Sequence, residues 1–438
     1  MTAGAGSAVA RRTPAWWNFT VLGADMAFFS LGLAISSVYT VLPLFVHHLT
    51  ADNVAVALIP AVRALGLYGP QLAVANFVER RRHALPYILI VTVLERVPYL
   101  VLAVCAVWLS SAHAPLLLAL FYLLIFLALL GGGLTYPAWL DLIARAIPSS
   151  WIGRFMGFWT GVGGMLGIGG AAVATALLFK VRWPLNFALC FALTFVAMVI
   201  SFVLLALGRE PERIVHAPPQ ARGHSVPSRA ETLQALWAVV RHDGGLRRLL
   251  ASNALVGIAT MASALFAVAA LHLGGLSGAQ VSAEGSVLFL AMTGGNVLWG
   301  LVGDHVGHRQ ILVWSSLCAA LAALLALAAS GFWAYAVVYL VLGLQLSGVQ
   351  LAGFTLITQF GPETRRPTYV ALASVAYAPF VIGAPLLGGV LADAWGYRPV
   401  FVLTAAAGIA ALLAFQFWVP DPERAQRVHL LRRNRTPS

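Results

Sequence analysis

The sequence predicts an all-α membrane protein with twelve transmembrane helices, and three observations indicate this class. Of its 438 residues, 60% are hydrophobic and 10% are charged, whereas a soluble domain carries about 25% charged residues to cover its surface. The apolar residues form long runs without Asp, Glu, Lys or Arg, and a helix that crosses the hydrocarbon core needs roughly 20 such residues. Short loops that carry arginine separate these runs.

The lengths of the runs and the residues that interrupt them place each helix. Two charge-free runs are long enough for a pair of helices: residues 97–140 are interrupted at Pro115, and residues 310–362 at Ser330-Gly331. When segments that tolerate a charge are added, we expect helices at 17–46, 54–78, 86–109, 115–146, 151–179, 184–207, 247–272, 280–303, 310–329, 332–360, 367–392 and 398–419.

Lysine and arginine lie mainly in the loops of one side. The opposite loops hold only Lys180, Arg182 and Arg398, while Arg63 and Arg96 lie inside predicted helices. This pattern predicts a multi-pass protein of the inner (plasma) membrane with both termini in the cytoplasm. The net charge of +12 does not form a basic groove with interleaved aromatic residues, so we expect no nucleic-acid binding. The first apolar run is too long for a cleaved signal sequence and should remain in the mature protein.

One polar segment divides the chain into two halves. Residues 209–246 are rich in Pro, Arg and His, and Ser228 and Glu231 within them have the spacing of a capping box before a short helix. We therefore expect a cytoplasmic tail at 1–16, a six-helix bundle at 17–208, a cytoplasmic loop with a short interfacial helix at 209–246, a second six-helix bundle at 247–420 and a basic cytoplasmic tail at 421–438.

The two halves share short patterns at corresponding places. Leu142 and Pro148 have the same spacing as Leu356 and Pro362, each pair at the end of the fourth helix of its half. Repeated bundles are a recurrent design of membrane transporters, which bind their solutes at the interface between the repeats. The repeat therefore predicts two pseudo-symmetric bundles with a site between them.

The loop after the eighth predicted helix carries a family signature. Gly300-x-x-x-Asp304-x-x-Gly307-His308-Arg309 resembles the G-x-x-x-D-R-x-G-R-R loop of the major facilitator superfamily, with His305 and His308 in place of two basic residues. The loop after the second helix is a weaker copy, with Ala75, Glu79 and Arg82 at the Gly, Asp and Gly positions. The end of the eleventh helix, residues 383–398, is also similar to that family, and the resemblance, nearest to bacterial drug and metabolite exporters, covers the whole chain.

The resemblance implies the fold of that superfamily, with two six-helix bundles that rock about a central site. It also implies that Asp304 and Arg309 latch the two halves in one state, the alternative being charges that only set the topology. We expect a monomer whose partners are a small-molecule solute, protons and membrane lipids, with no cofactor and no enzymatic activity. The other gating candidates are Glu79, Arg80, Asp141, Arg145, Arg154, Gly300 and Gly307.

The first half holds several charges inside predicted helices, where each costs about 2.5–3.5 kcal/mol on insertion scales and so needs a partner or a function. Asp25 can carry a proton or counter a cationic solute, or it can form a buried ion pair with Arg96, and both interpretations stay open. Arg63 and Glu95 lie at similar depths on neighbouring helices, and we expect a structural ion pair, with a proton relay as the alternative. In the second half, Glu284 is expected at the outer mouth.

Small, polar and aromatic residues on one face of several helices are candidates for the lining of a central cavity. For each of them, helix packing is the alternative. A neutral, aromatic-rich cavity suits an amphiphilic or apolar solute. The glycines at 161–170 resemble the antiporter motif of exporters in the family but lack its proline, which favours export. The cavity candidates are Phe29, Ser36, Tyr39, Thr135, Trp139, Asn253, Thr260, Gln345 and Gln350.

Several other functions are excluded by the residues themselves. ATP-driven transport would need a phosphate-binding Gly-Lys loop, and the single lysine, Lys180, follows Phe179. The adjacent His47 and His48 point about 100° apart on a helix and have no further ligands nearby, so we expect no metal site. Three functions stay open: a proton-coupled exporter of hydrophobic compounds, which we favour, an uncoupled or uptake carrier for a metabolite, and a lipid flippase.

The loop charges make a prediction about orientation. A fluorescent protein fused after Ser438 should fold and fluoresce, because the C-terminus is expected in the cytoplasm. A cysteine introduced at Arg182, in a cysteine-free variant, should react with a membrane-impermeant maleimide in whole cells. Labelling at a cysteine that replaces Arg209, but not at Arg182, would reverse the predicted orientation.

Overall fold

The computed structural model describes residues 15–70, 83–109, 113–211, 241, 243–360 and 366–421. The first half contains α1 (Ala15–Ile35), α2 (Val41–Leu49), α3 (Asn53–Tyr68), α4 (Leu85–Val91), α5 (Val93–Leu109), α6 (Ala114–Ala146), α7 (Ser149–Lys180) and α8 (Leu185–Ala206). The second half contains α9 (Gly244–Ile258), α10 (Leu265–His272), α11 (Gly278–Val306), α12 (His308–Ala328), α13 (Gly331–Thr358), α14 (Arg366–Trp395) and α15 (Tyr397–Leu413), which continues into a π-helical turn at Ala414–Trp418.

Within the described ranges, 10 helical segments are long and apolar enough to cross a membrane. Each of the two other predicted spans is present in part. The span predicted at 54–78 is described only as α3, because residues 71–82 lie outside the described ranges. The span predicted at 247–272 is divided between α9 and α10. The predicted fold class is confirmed, whereas the interfacial helix expected in 209–246 falls mostly on residues that are not described.

Three predicted helices are interrupted, which corrects the spans 17–46, 86–109 and 247–272. The first breaks at residues 36–40, the third at Thr92 and the seventh at residues 259–264. At the first break, the Ser36 hydroxyl lies 2.7 Å from that of Thr194, and the Ser37 hydroxyl accepts the N–H of Tyr39 at 3.2 Å. Such side-chain bonds replace helical backbone bonds. The breaks in the first and seventh helices occupy corresponding places in the two halves.

Each half packs mainly within itself, and a few helices join the halves. In the first half α1 packs on α7 and α8, and α5 packs on α6 and α8. In the second half α13 packs on α11 and α12, and α9 packs on α14 and α15. The halves meet where α7 packs on α11 and where α3 packs on α14.

The contacts between the halves are concentrated at one end, here called the distal end, which holds Asn53 and Asp393. Asn53 donates its backbone N–H and its side-chain amide to Asp393 Oδ1 at 3.0 and 2.7 Å, and Tyr397 donates its hydroxyl to Asn53 Oδ1 at 2.8 Å. A Cβ built at Gly389 would lie 2.7 Å from Val54 Cα. A side chain at position 389 would therefore push α3 and α14 apart.

The opposite end holds Arg145, Arg209 and Arg309 and is called the arginine-rich end. Gly164 of α7 touches Thr293 of α11. Steps of three and four residues toward the arginine-rich end continue the same two helix faces. Along those faces, a Cβ at any of Gly153, Gly157, Gly161 and Gly300 would meet no described atom within 4 Å. Among the described residues the two helices diverge, which leaves a crevice between the halves that opens toward the arginine-rich end.

The close approach at Gly389 gives a test of the closed distal end. Gly389→Ala should lower stability by about 1–3 kcal/mol, because the new methyl group meets backbone atoms. Gly383→Ala on the same helix has no atom within 4 Å. It should be neutral or stabilising by about 0.5–1 kcal/mol, the helix preference of Ala over Gly. Thermal unfolding of the purified variants in one detergent compares them, and equal melting temperatures would contradict the close packing.

Candidate functional site

A buried carboxylate of α1 is held by two other helices. The Asp25 side chain is 4% exposed. Ser201 of α8 donates its hydroxyl to Asp25 Oδ1 at 2.6 Å, and Trp139 of α6 donates its indole N–H to Oδ2 at 3.3 Å. Asp25 and Trp139, predicted separately as a coupling residue and a cavity residue, are therefore in direct contact.

The same hydroxyl of Ser201 connects Asp25 to a buried arginine of α5. Arg96 donates from Nη2 to Ser201 Oγ at 3.0 Å and from Nε to the carbonyl of Met198 at 2.8 Å. Its Nη1 lies 3.3 Å from Glu95 Oε2, and the Thr92 hydroxyl accepts from Arg96 and donates to Glu95. A continuous chain of hydrogen bonds therefore runs from Trp139 through Asp25, Ser201 and Arg96 to Glu95, and these five residues are called the acid–arginine chain.

The acid–arginine chain corrects one predicted pair and modifies another. Glu95 pairs with its neighbour Arg96, so the predicted ion pair between Glu95 and Arg63 is wrong. Depth along the helices allowed that pair, but Arg63 donates its hydrogen bond to Tyr39. The considered pair of Asp25 and Arg96 is connected through the Ser201 hydroxyl, not by direct contact.

Arg63 lies in a separate cluster of tyrosines. It donates from Nη1 to the Tyr39 hydroxyl at 2.9 Å, and its guanidinium carbon lies 5.8 Å from the centre of the Tyr39 ring. Tyr68 and Tyr377 are close enough to interact electrostatically with Arg63. Tyr377 belongs to α14 of the second half, so this cluster lies between the halves.

The remaining cavity candidates divide by burial. Ser36 is buried with its hydroxyl 2.7 Å from that of Thr194, and Thr135 is buried and donates its hydroxyl to the Gly131 carbonyl of its own helix at 3.0 Å. Gln345 is also buried. The half-buried candidates are Phe29, Asn253 and Thr260, whereas Gln350 is exposed.

The predicted gate of the first half contains an acid that the sequence reading missed. Arg145 Nη2 lies 2.6 Å from Asp141 Oδ2, and its Nη1 lies 2.6 Å from Glu210 Oε1. Glu210 also accepts the backbone N–H groups of Ala84 and Leu85 at 2.7 and 2.9 Å, at the start of α4. A carboxylate at a helix N-terminus is stabilised by the exposed N–H groups and the helix dipole. Glu210 therefore ties α4 to α6.

The predicted gate of the second half makes its contacts within that half. Arg309 donates to the carbonyls of Gln416 and Val419 at 3.2 and 3.1 Å and lies 3.6 Å from Asp421. Gly307 separates α11 from α12 with φ of 92°, a conformation that favours glycine. Arg154 is exposed, and Gly300 lies in the C-terminal part of α11. Asp304 is described only as part of that helix, and the predicted residues Glu79 and Arg80 lie outside the described ranges.

One acid of the second half, expected at the outer mouth, lies near the start of α11 and is fully buried. Glu284 of α11 is 0% exposed, and neither carboxylate oxygen has a hydrogen-bond partner among the described residues. It lies close enough to Tyr339 of α13 to interact electrostatically. Ionised carboxylates are very costly to bury without a partner. The position of Glu284, two helical turns from the start of α11, gave no sign of this burial.

Comparisons with known proteins give a family model that matches the second half, relatives that match about a third of the chain, and solved structures of similar fold. A family model described as "Major Facilitator Superfamily" matches residues 249–436. "Multidrug resistance protein MdtG" of Proteus mirabilis (strain HI4320) is 30% identical over 136 residues, which are 31% of this chain and 34% of that protein. The protein of the same name from Salmonella choleraesuis (strain SC-B67) is 33% identical over 133 residues, 30% of this chain and 33% of that one. The chain thus spans about a third of the length of these relatives.

Solved structures extend the likeness to nearly the full length of the chain. A mutant of the nucleoside transporter NupG superposes with a TM-score of 0.70 and 12% identity, covering 91% of this chain and 99% of that one. A D-xylose-proton symporter superposes with a TM-score of 0.67 and 13% identity, covering 92% and 98%. At this level of identity the likeness concerns the fold.

The different surroundings of Glu95 and Glu284 predict opposite effects of the same substitution. Glu95→Gln removes an acid from a hydrogen-bonded ion pair and should lower stability by about 1.5–3 kcal/mol. Glu284→Gln replaces a carboxyl group that has no described partner, so stability should be unchanged or higher. Thermal unfolding in detergent measures both variants. Equal destabilisation by the two substitutions would contradict the environment described for Glu284.

Proposed function

We propose that this chain is a transporter of the major facilitator superfamily and that it exports a small amphiphilic solute across the inner membrane in exchange for protons. The proposal of proton coupling rests on the composition of the acid–arginine chain. The observation that carries alternating access is the crevice between the halves.

The acid–arginine chain contains two carboxyl groups and one guanidinium group. With both acids ionised, the cluster would hold one uncompensated negative charge inside the membrane, which costs several kcal/mol. One bound proton makes it neutral. Asp25 or Glu95 would carry that proton, since Arg96 between them can only donate hydrogen bonds. Trp139 connects Asp25 to the side of α6 that carries Tyr136, whose ring is stacked on that of Trp139 with centroids 6.5 Å apart.

The crevice supports an inward-facing state. We place the arginine-rich end in the cytoplasm, because basic loops favour that side. The crevice that opens there would admit a solute from the cytoplasm. In the other state the contacts among Asn53, Asp393 and Tyr397 would separate and the arginine-rich end would close. The moving units would be the bundles expected at 17–208 and 247–420.

Export is supported by the relatives. The MdtG proteins are named for multidrug resistance and are about 30% identical over the matched third. Resistance by a membrane transporter is achieved by removing compounds from the cell, and such compounds are commonly amphiphilic. A tyrosine- and tryptophan-containing crevice suits solutes of that kind.

Transport by the purified protein in proteoliposomes tests the coupling. With a pH gradient imposed, Asp25→Asn should abolish pH-driven transport of a candidate solute, since the amide cannot carry a proton. It should retain exchange of labelled for unlabelled solute without a gradient, which shows that the variant is folded. Asp25→Glu should keep part of the pH response. A wild-type transport rate that does not change with the pH gradient would identify an uncoupled carrier. Movement of fluorescent phospholipid but not of solute would identify a flippase.

A further inference from the structure

Arg63 differs from Arg96 and Arg145 of the first half because it has no acid partner among the described residues. Its described hydrogen bond goes to the neutral hydroxyl of Tyr39. No carboxylate of the described residues lies within ion-pair distance of Arg63, and Glu95 forms its ion pair with Arg96. A guanidinium group has five N–H donors. A cation inside a membrane protein costs several kcal/mol unless it is paired, and such residues mark solute or ion pathways.

The position of Arg63 is where a transported solute would lie. It is nine residues beyond Val54, which touches Gly389 at the closed distal end, so it lies roughly 13 Å along α3 from that contact. Arg63 lies on the side of that contact that faces the arginine-rich end, where the crevice opens. The side chain therefore lies between the halves at mid-depth, below the closed contact.

Both halves contribute tyrosines to this position. Tyr39 belongs to the interruption of the first predicted helix, and the Tyr339 hydroxyl approaches its carbonyl to 3.5 Å from the second half. Tyr377 of α14 packs near Gly257 of α9, where a Cβ would lie 3.3 Å from its ring. Tyr68, at the end of α3, is 42% exposed. Tyrosine rings offer a flat apolar surface together with hydroxyl groups.

We propose that Arg63 binds the anionic group of the transported solute and that Tyr39, Tyr68 and Tyr377 contact its apolar body. The solute class is an amphiphilic organic anion, for which a planar guanidinium offers two parallel hydrogen bonds to a carboxylate. This inference rests on the proposed transport function but not on proton coupling, because Arg63 makes no described contact with the acid–arginine chain.

Three probes with one apolar body separate charge from shape. 2-Naphthoate, 2-naphthalenemethanol and protonated 2-naphthylmethylamine share the ring system and differ in their charge. Binding to the full chain in phosphatidylcholine nanodiscs is measured at equilibrium, without any gradient. The wild type should bind the carboxylate about tenfold more tightly than the alcohol, as one charge-assisted pair provides, and should bind the amine least.

Variants assign the preference to Arg63. Arg63→Gln should lose the preference for the carboxylate while keeping its affinity for the alcohol, which shows that the site is folded. Arg63→Lys should keep part of the preference, since the charge remains but the planar fork does not. Arg182→Gln removes an exposed arginine at the distal end and should leave all three affinities unchanged.

Two results would overturn the inference: a wild type that binds the carboxylate no better than the alcohol, including no binding of either, or Arg63→Gln protein that keeps the preference. Phosphatidylglycerol added to the nanodiscs distinguishes two sources of the anion. Unchanged naphthoate affinity supports a free solute, and competition that depends on Arg63 supports an anionic lipid headgroup. Asp25→Asn protein should keep the preference, so failure of proton coupling and failure of anion binding remain distinguishable.

Discussion

The cost of placing charge inside a membrane is the constraint on which the first half depends. Asp25, Glu95 and Arg96 come from two helices, and hydroxyl groups of Ser201 and Thr92 complete their hydrogen bonds. The chain that results joins α1, α5, α6 and α8. Separating α1 from α6 and α8 would leave the Asp25 carboxylate without the hydrogen bonds of Trp139 and Ser201, so the chain holds these helices of the first half together.

The crevice between the halves is closed at the distal end and open at the arginine-rich end, and small residues on the facing helices contribute to both. At the distal end Gly389 lets α14 lie against α3, and Asp393 accepts hydrogen bonds from Asn53 across the same contact. Toward the arginine-rich end the glycine face of α7 continues past Gly164 without a partner helix among the described residues. The same kind of residue thus permits contact at one end and leaves free space at the other.

The sequence predicted the all-α membrane fold well because long apolar runs and loop charges are recorded along the chain itself. It did not predict which charges pair. Arg63 and Glu95 were matched by depth, but rotation about the helix axes directs Arg63 to Tyr39 and leaves Glu95 to its neighbour Arg96. Ser201 was missed because a serine in an apolar run has no charge to mark it. Such contacts depend on how helices distant in the chain are arranged.

The separation of Arg63 from the acid–arginine chain has an electrical consequence. If the solute is an anion bound at Arg63 and the proton is carried by Asp25 and Glu95, outward anion and inward proton movement both transfer negative charge out of the cell. Each elementary charge that crosses gains about 2.3 kcal/mol per 100 mV of membrane potential. The membrane potential would then drive both the outward movement of the anion and the inward movement of the proton in each cycle. Cells that keep their potential would therefore expel the solute even at equal pH on both sides.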